Sequence, residues 1–271
     1  EQLMLTDAKK KELLVFYTIV QTNKCSLREL SQVLSIPKRT IKEIIRKLNG
    51  TIFQQLSIPR FIYSTAKGEL KLDSQHKDEK MAIFHYIKLF FLRESNRFNF
   101  LLLLFDSPHS RVSKKILLEK LYISPSYLEK LTNQLNKSLK KFHLQIISRQ
   151  NCYILKGDEL SIRIYMYFFF SDAFQGIDWP LTNMKLSQVK HTHLSNELLM
   201  TKKTSKIQEK VYLLVAIFLM RSAHHQLPDA SLLESYETMK ILTSTKDFSG
   251  ELKKQLSQSL PESLVQNEVL Y

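Results

Sequence analysis

Glycine, cysteine and long hydrophobic runs are all scarce in this chain of 271 residues. Only 5 residues are glycine, which argues against the glycine-rich phosphate loops of nucleotide-binding enzymes. The 2 cysteines, Cys25 and Cys152, have no second cysteine or histidine at metal-ligand spacing, so the sequence predicts neither a disulfide framework nor a metal site. The longest apolar runs, such as VYLLVAIFLM at 211–220, are shorter than the roughly 18 residues that a membrane span needs.

These absences remove several function classes. No serine or cysteine nucleophile stands in a motif with a nearby base, so we expect no enzyme and no cofactor. No signal peptide is visible and the cysteine usage is that of a reduced protein, which predicts a cytoplasmic chain with no membrane partner.

Positive charge is abundant and unevenly distributed. The chain has 40 Lys+Arg against 26 Asp+Glu, a net charge of +14. Residues 1–72 carry +7 (13 against 6) and residues 73–160 carry +6 (15 against 9), whereas residues 161–271 carry +1 (12 against 11). An excess confined to the first two of these segments favours a polyanionic partner that binds there.

The basic region contains an internal repeat. The stretch CSLRELSQVLSIPKRTIKEIIRKLNG at 25–50 aligns without a gap with VSKKILLEKLYISPSYLEKLTNQLNK at 112–137, an offset of 87 residues. The matched positions pair Leu30 with Leu117, Leu34 with Leu121, Ile36 with Ile123, Ile41 with Leu128, Ile44 with Leu131, Leu48 with Leu135 and Asn49 with Asn136. Two copies of one structural unit are therefore predicted.

The apolar spacing defines each copy as a helix, a short turn and a second helix. Ser26 is a candidate N-cap with Glu29 three residues later, and Pro37 suits the start of the next helix. The second helix is predicted over 38–49, ended by Gly50, because glycine is the usual residue where a helix turns left-handed. A further helix before each copy and two short strands after it complete a winged helix-turn-helix.

The second helix of the first copy has the chemistry of a DNA-reading element. Its apolar residues face the core, and its basic residues are left on the side that a helix-turn-helix presents to the major groove. Arginine pairs with guanine, and lysine and threonine reach phosphates or bases. The predicted DNA contacts are Arg39, Thr40 and Lys42 on bases, Lys38, Arg46 and Lys47 on phosphates, and Lys67 and Lys71 in the wing.

The second copy is less charged and richer in neutral hydrogen-bonding groups. Its predicted DNA contacts are Lys114, Lys115, Ser124, Ser126, Tyr127, Lys130, Asn133, Gln134 and Arg149. Winged helices also serve as protein-contact modules, so a protein-binding role for this copy stays open.

The chain changes character after Gly157, where the charge becomes balanced and the periodicity helical. Four histidines lie in this region: His191, His193, His224 and His225. They are either surface or helix-end histidines or phosphoryl acceptors, since histidine titrates near neutrality and its ring nitrogen accepts a phosphoryl group.

The order of these parts resembles the Mga/AtxA-type virulence regulators of Gram-positive bacteria. The residues that carry the resemblance are SLRELSQVLSIPKRTIKEIIRKLN, YILKGDELSIRIYMYFFFSDAF and the IDWP that follows. The resemblance implies a dimeric transcription regulator, usually an activator of virulence, surface or sugar-related genes. It also implies that histidines of the regulatory domain are phosphorylated by phosphocarrier proteins of the phosphotransferase system. Members of the family are longer, so the sequence predicts a fragment or a short member.

Together, these observations predict a mainly α fold with two tandem winged helix-turn-helix domains and small β-hairpin wings at 1–75 and 76–157. A connecting helix at 158–182 and an incomplete, all-helical domain resembling a phosphotransferase-system regulation domain at 183–271 follow. The predicted function is a DNA-binding transcriptional regulator that reads promoter DNA with the helix 38–49, as a homodimer on double-stranded DNA. Two alternatives remain: a plasmid-type replication initiator with tandem winged helices, and a winged-helix protein-interaction scaffold.

Overall fold

The computed structural model describes residues 4–22, 25–65, 68–190, 192 and 205–223. Lys67, the four histidines named above and the helices predicted after 223 lie outside these residues. The chain divides into two units, residues 1–98 and residues 99–271, which are described separately. Helices dominate both, with small sheets, in agreement with the predicted mainly α class.

The described residues of the first unit form four α-helices, a 3-10 helix at Ser74–His76 and one small sheet. Its elements are α1 (Asp7–Thr22), β1 (Cys25–Ser26), α2 (Leu27–Leu34), α3 (Lys38–Leu56), β2 (Ile62–Ser64), β3 (Glu69–Leu72) and α4 (Lys80–Arg93). The strands are antiparallel in the order β1-β3-β2, with Cys25 opposite Leu70 and Tyr63 opposite Lys71. The short strand β1 was missed by the sequence reading because two residues are too few to show an alternating pattern.

The capping box predicted at the start of α2 is present. The backbone N–H of Glu29 donates to the Ser26 hydroxyl over 3.1 Å, and the N–H of Ser26 donates to the Glu29 carboxylate over 2.8 Å. Hydrogen bonding to the carboxylate by the Ser26 backbone N–H, and then by the Ser26 side chain, lowers the pKa of the Glu29 carboxyl below its usual value. The box satisfies two backbone donors that a helix start would otherwise leave unpaired.

Helix α3 is longer than the sequence predicted. It runs through the predicted end at Gly50 to Leu56 and stops at Ser57, which has a left-handed backbone with φ of 58°. The helix continues because Ile52, one turn beyond Leu48, is fully buried and extends the apolar stripe. Packing of this stripe outweighs the weak helix preference of one glycine.

Helix α4 packs with the first unit, although the sequence placed it at the start of the second domain. Its Phe84 ring contacts the rings of Phe16 and Tyr17 on α1, each at a centroid distance of 5.4 Å. Lys9, also on α1, places its ammonium 3.7 Å from the centroid of the Phe91 ring. The aromatic contacts of α4 therefore complete the core of the first unit.

The second unit begins within α5 and repeats the order of the first. Its elements are α5 (Asn96–Asp106), β4 (Arg111–Ser113), α6 (Lys114–Leu121), α7 (Pro125–Leu139), β5 (Gln145–Arg149), β6 (Cys152–Lys156), α8 (Glu159–Phe174), α9 (Leu186–Lys190) and α10 (Ser205–Ala223). The strand order β4-β6-β5 is equivalent to that of the first sheet. Phe100 on α5 packs edge-on against Tyr153 on β6 and joins helix to sheet.

The turn between the two helices of each copy has the same backbone path. Ser35 and Tyr122, which are 87 residues apart, both adopt left-handed conformations with φ of 53° and 52°. The next residues, Ile36 and Ile123, donate their N–H groups back into the preceding helix over 3.2 and 3.3 Å. The same closure of the turn in both copies fits the sequence repeat.

An asparagine joins the second helix of each copy to its hairpin. The Asn49 side chain donates to the Ile62 carbonyl over 2.7 Å and accepts from the Ile62 N–H over 2.9 Å. Asn136 makes the same pair of bonds with Ile146, over 2.9 and 2.7 Å. We call these two contacts the asparagine clamps; they satisfy both backbone groups of a buried hairpin residue.

Among the described residues of the second unit, three helices follow the repeat. Asp158 caps α8 by accepting from the Ser161 N–H over 2.8 Å, and the helix ends at Gln175, earlier than the predicted end of the connecting segment at 182. The helix is not buried all round, because Phe168 is 60 % exposed. Helix α10 packs against α8 and α9.

Removal of either asparagine clamp should lower the free energy of unfolding by a similar, large amount. Asn49→Ala and Asn136→Ala each leave two buried backbone groups without their partner, so each variant should lose about 2–3 kcal/mol of unfolding free energy. Urea unfolding followed by circular dichroism measures this. Asn133→Ala, at an exposed site on the same helix as Asn136, is the control and should change stability by less than about 0.5 kcal/mol. Equal stability of Asn136→Ala and Asn133→Ala would contradict the clamp.

Because α3 continues past Gly50, substitution of Gly50 and of Gly68 by alanine should change the stability of the protein in opposite directions. A Cβ at Gly50 or Gly68 meets no atom within 4 Å, but Gly68 has φ of +77° whereas Gly50 lies inside the helix. Gly50→Ala should therefore stabilise the protein by up to about 1 kcal/mol, while Gly68→Ala should destabilise it by about 1 kcal/mol. A thermal melt of both variants compares them. Destabilisation by Gly50→Ala would show that the helix ends there after all.

Candidate nucleic-acid interface

The basic side of α3 faces solvent because its opposite side is committed to the core. Ile41, Ile44 and Leu48 are 0 %, 6 % and 0 % exposed. With 100° of rotation per residue, this leaves Lys38, Arg39, Lys42, Arg46 and Lys47 pointing outward, and the structure shows all five exposed. The predicted contact Thr40 is half-buried.

A cleft gathers most of these cations between α2, α3 and the hairpin. It encloses about 630 Å³. Its lining comprises Ser26, Leu27, Arg28, Lys38, Arg39, Lys42, Glu43, Arg46 and Gly68. Five cationic side chains face one carboxylate there, a local net charge of +4. Of the first copy's predicted contacts, Thr40, Lys47 and Lys71 are not part of this lining.

Two of the predicted contacts are partly neutralised by neighbours. Arg46 pairs with Glu43 over 3.1 Å, and Lys71 pairs with Glu69 over 3.8 Å. Both pairs are solvent-exposed and are worth at most about 1 kcal/mol each. A phosphate group can therefore replace the carboxylate partner at little cost.

Arg28 is the residue that the sequence analysis missed. It is exposed on the first turn of α2 and lines the cleft beside the start of α3. The repeat itself held the signal, because an offset of 87 residues places Arg28 on Lys115, which was predicted as a contact.

The second unit has an equivalent but milder cleft. It encloses about 440 Å³ and is lined by Ser113, Lys114, Lys115, Leu118, Glu119 and Asn151. Lys115 pairs with Glu119 over 3.9 Å, with both side chains exposed. The two lysines and one glutamate leave a local net charge of +1, so this cleft attracts a polyanion less strongly than the first.

Helix α7 presents the neutral hydrogen-bonding groups that the sequence predicted. Exposed positions along the helix and its flanks hold Ser124, Ser126, Tyr127, Lys130, Asn133 and, on β5, Arg149, while Gln134 is half-buried. The Ser124 hydroxyl also has a structural task, because it caps α7 by accepting from the Tyr127 N–H over 3.3 Å. None of these residues belongs to the lining of the second cleft.

In each copy, the hairpin is hydrogen-bonded to the start of the helix that precedes the turn, which is α2 in the first copy and α6 in the second. The N–H of Leu27 donates to the Gly68 carbonyl over 3.4 Å, and the N–H of Lys114 donates to the Asn151 carbonyl over 2.7 Å. Each hairpin therefore stands beside a cleft at a fixed distance from the basic helix.

Two further features of the described residues bear on partners. No group of histidine, cysteine, aspartate or glutamate side chains that could hold a metal ion occurs among them. Across the same ranges, every helix is too short or too polar to cross a membrane.

Comparison with known proteins identifies part of the chain. Residues 82–170 match the Mga helix-turn-helix domain. This match extends from α4 to α8 and so includes the whole second copy of the repeat.

A longer protein resembles more of the chain. A protein of Streptococcus pneumoniae serotype 4 (strain ATCC BAA-334 / TIGR4), named "Putative trans-acting regulator", is 21 % identical over 155 residues. The aligned part is 57 % of this chain and 29 % of that protein, so the chain corresponds to under a third of the relative's length.

These findings confirm the resemblance inferred from the repeat and the Gly-Asp-Glu helix start. Over residues 82–170 this chain therefore matches the Mga helix-turn-helix domain, and it is similar to part of a longer protein that is named as a regulator.

Proposed function

We propose that the chain regulates transcription by binding duplex DNA through two tandem winged helix-turn-helix domains. Helices α3 and α7 would be presented to the major groove, and the hairpins β2–β3 and β5–β6 would contact the flanking backbone. The observation that carries the proposal is that one order of helices and strands recurs in the two units. The family match supports the second copy, and equivalent elements, turn and clamp support the first.

Charge favours DNA over a protein partner for the first copy. The local charge of +4 in its cleft lies between a helix and a hairpin, where low-dielectric walls concentrate the field on an approaching phosphate chain. A protein-contact surface of ordinary type has few charges at its centre. The cleft therefore suits a nucleic-acid backbone better than a folded protein.

The two copies would contribute differently to binding. Six phosphate contacts by the first copy would give a slope of roughly −5 in a plot of log affinity against log salt. The exposed tyrosine, serine and asparagine groups of α7 add hydrogen bonds with little charge, so they would contribute to sequence discrimination more than to the salt dependence.

The finer predictions rest on the resemblance to Mga/AtxA-type regulators. They are the activation of virulence, surface or sugar-related promoters, homodimer formation, and control through phosphorylation of histidines by phosphocarrier proteins. The relative's printed name, a trans-acting regulator, is compatible with promoter control. The four histidines lie outside the described residues, so this part of the proposal stands on the sequence alone.

The proposal predicts that two cleft residues set target preference. Arg39→Ala together with Lys42→Ala should reduce the preference for a target duplex over random DNA by about 10- to 100-fold, because side-chain contacts to base edges are lost. The log–log salt slope should change by less than about 1, because both side chains are assigned to bases and the phosphate contacts remain. Fluorescence anisotropy over a salt series, on a duplex selected from genomic fragments, measures both quantities.

Lys11→Ala together with Lys77→Ala is the matched control, because it removes the same charge from exposed sites of the first unit. Unchanged preference in the Arg39/Lys42 variant would move the reading surface to α7. A wild-type chain that binds all duplexes weakly and equally would favour the protein-interaction scaffold. Preference for repeated origin sequences alone would favour the replication initiator.

A further inference from the structure

A buried ionic cluster joins α10 to α8 in the second unit. The Glu159 carboxylate accepts from Arg163 Nε over 2.9 Å and from Arg221 Nε over 2.8 Å. Arg221 also donates through Nη2 to the second carboxylate oxygen over 2.5 Å, so that its guanidinium grips Glu159 with two parallel bonds. The three side chains belong to residues that are 9 %, 1 % and 2 % exposed.

Arg221 also reaches the entrance of a hairpin strand. Its Nη1 donates to the hydroxyl of Ser110 over 2.5 Å, and Ser110 is 1 % exposed. Ser110 directly precedes β4, and Ser113, the last residue of that strand, caps α6 by accepting from the Ile116 N–H over 3.2 Å. Three residues thus separate the guanidinium contact from the start of the first helix of the turn motif.

The backbone at this contact is strained. His109 and Ser110 are consecutive non-glycine residues with left-handed φ of 56° and 48°. Such conformations persist only where surrounding contacts hold them in place. The Arg221 hydrogen bond is one such contact, so the path of the chain into β4 depends on it.

The second anchor of Arg221 lies at the exit of the same sheet. Glu159 opens α8 shortly after β6 ends at Lys156, and β6 pairs with β4 through Arg111 opposite Ile154. One guanidinium therefore holds the entrance of β4 and the exit of β6. Both strands belong to the sheet that carries the hairpin of the Mga helix-turn-helix domain.

Helix α10 lies outside the matched family region, which ends at residue 170. It runs the length of α8 in the opposite direction: Glu209 lies against Gly176, just past the end of α8, while Arg221 lies at its start. A Cβ at Gly176 would come within 2.3 Å of the Glu209 carboxylate. The docking of α10 is thus ionic at the end that carries Arg221.

We propose that Arg221 is a latch through which α10 controls the shape of the hairpin sheet in the second helix-turn-helix unit. When α10 is docked, Arg221 fixes Ser110 and Glu159 and keeps the hairpin in place for DNA. When α10 is displaced, Glu159 keeps its hydrogen bond from Arg163 but loses both bonds from Arg221, and the buried hydroxyl of Ser110 loses its bond from the same guanidinium. The sheet entrance then relaxes, and the DNA-contacting surface changes. The effect on DNA binding rests on the proposed function; the effect on the sheet does not.

Hydrogen exchange of the full chain, read by mass spectrometry, tests the latch without DNA. Arg221→Met keeps the length and apolar stem of the side chain and removes the guanidinium. Backbone amides of β4, β5 and β6 should exchange about tenfold faster in this variant, while those of α1–α4 stay unchanged. Lys210→Met, at an exposed site on the same helix, is the matched control and should leave the hairpin amides as in the wild type.

Where Arg221→Met does not fold, Arg221→Lys replaces it, because lysine keeps the charge and loses the two-pronged grip; an intermediate increase in exchange is expected. Hairpin protection that is unchanged, or changed equally by Lys210→Met, overturns the latch.

DNA affinity of the same variants is measured in parallel and should fall about tenfold with the loss of protection. Faster exchange with unchanged affinity overturns the control of DNA binding, whereas a wild type that binds no DNA overturns the proposed function and leaves the exchange test intact.

Discussion

The asparagine clamp between the second helix and the hairpin is the constraint on which each copy of the repeat depends. Hairpin strands of three to five residues have few ladder hydrogen bonds to hold their position. By donating to and accepting from one buried hairpin residue, Asn49 and Asn136 set the distance between the exposed helix face and the neighbouring strands.

The sequence predicted the helices of the repeat well, because their apolar residues recur at helical spacing and their caps have strong local signals. The prediction was wrong where tertiary packing outweighed a local sequence signal, and it missed elements of only two or three residues. Gly50 looked like a helix end, but buried Ile52 carries α3 another turn and a half. Strands β1 and β4 have two and three residues, too few for an alternating pattern, and they are recognisable only from their pairing with β3 and β6.

The solvent-facing residues of the candidate site could be predicted from the sequence, but the way in which neighbouring elements bring them together could not. The basic face of α3 follows from which positions are apolar. Arg28 was indicated only by its alignment with Lys115, and the structure adds that α2 faces the start of α3 across a cleft. The Glu159–Arg163–Arg221 cluster was out of reach for a different reason. Glu159 and Arg221 are 62 positions apart in the chain, and charged residues within apolar helices give no indication of their partners. The family match adds a finding that neither the sequence pattern nor the structure shows alone: the second copy belongs to a known class of DNA-binding domain.

Lysine footprinting with and without duplex DNA tests the central claim most directly. Acetylation at low salt, read by mass spectrometry, reports which ammonium groups become covered. If the repeat presents α3 and α7 to DNA, Lys38, Lys42 and Lys130 should be protected in the complex, while Lys11 and Lys77 react as in the free chain. Equal reactivity of all five lysines in a saturated complex, or protection confined to Lys11 and Lys77, would contradict the account.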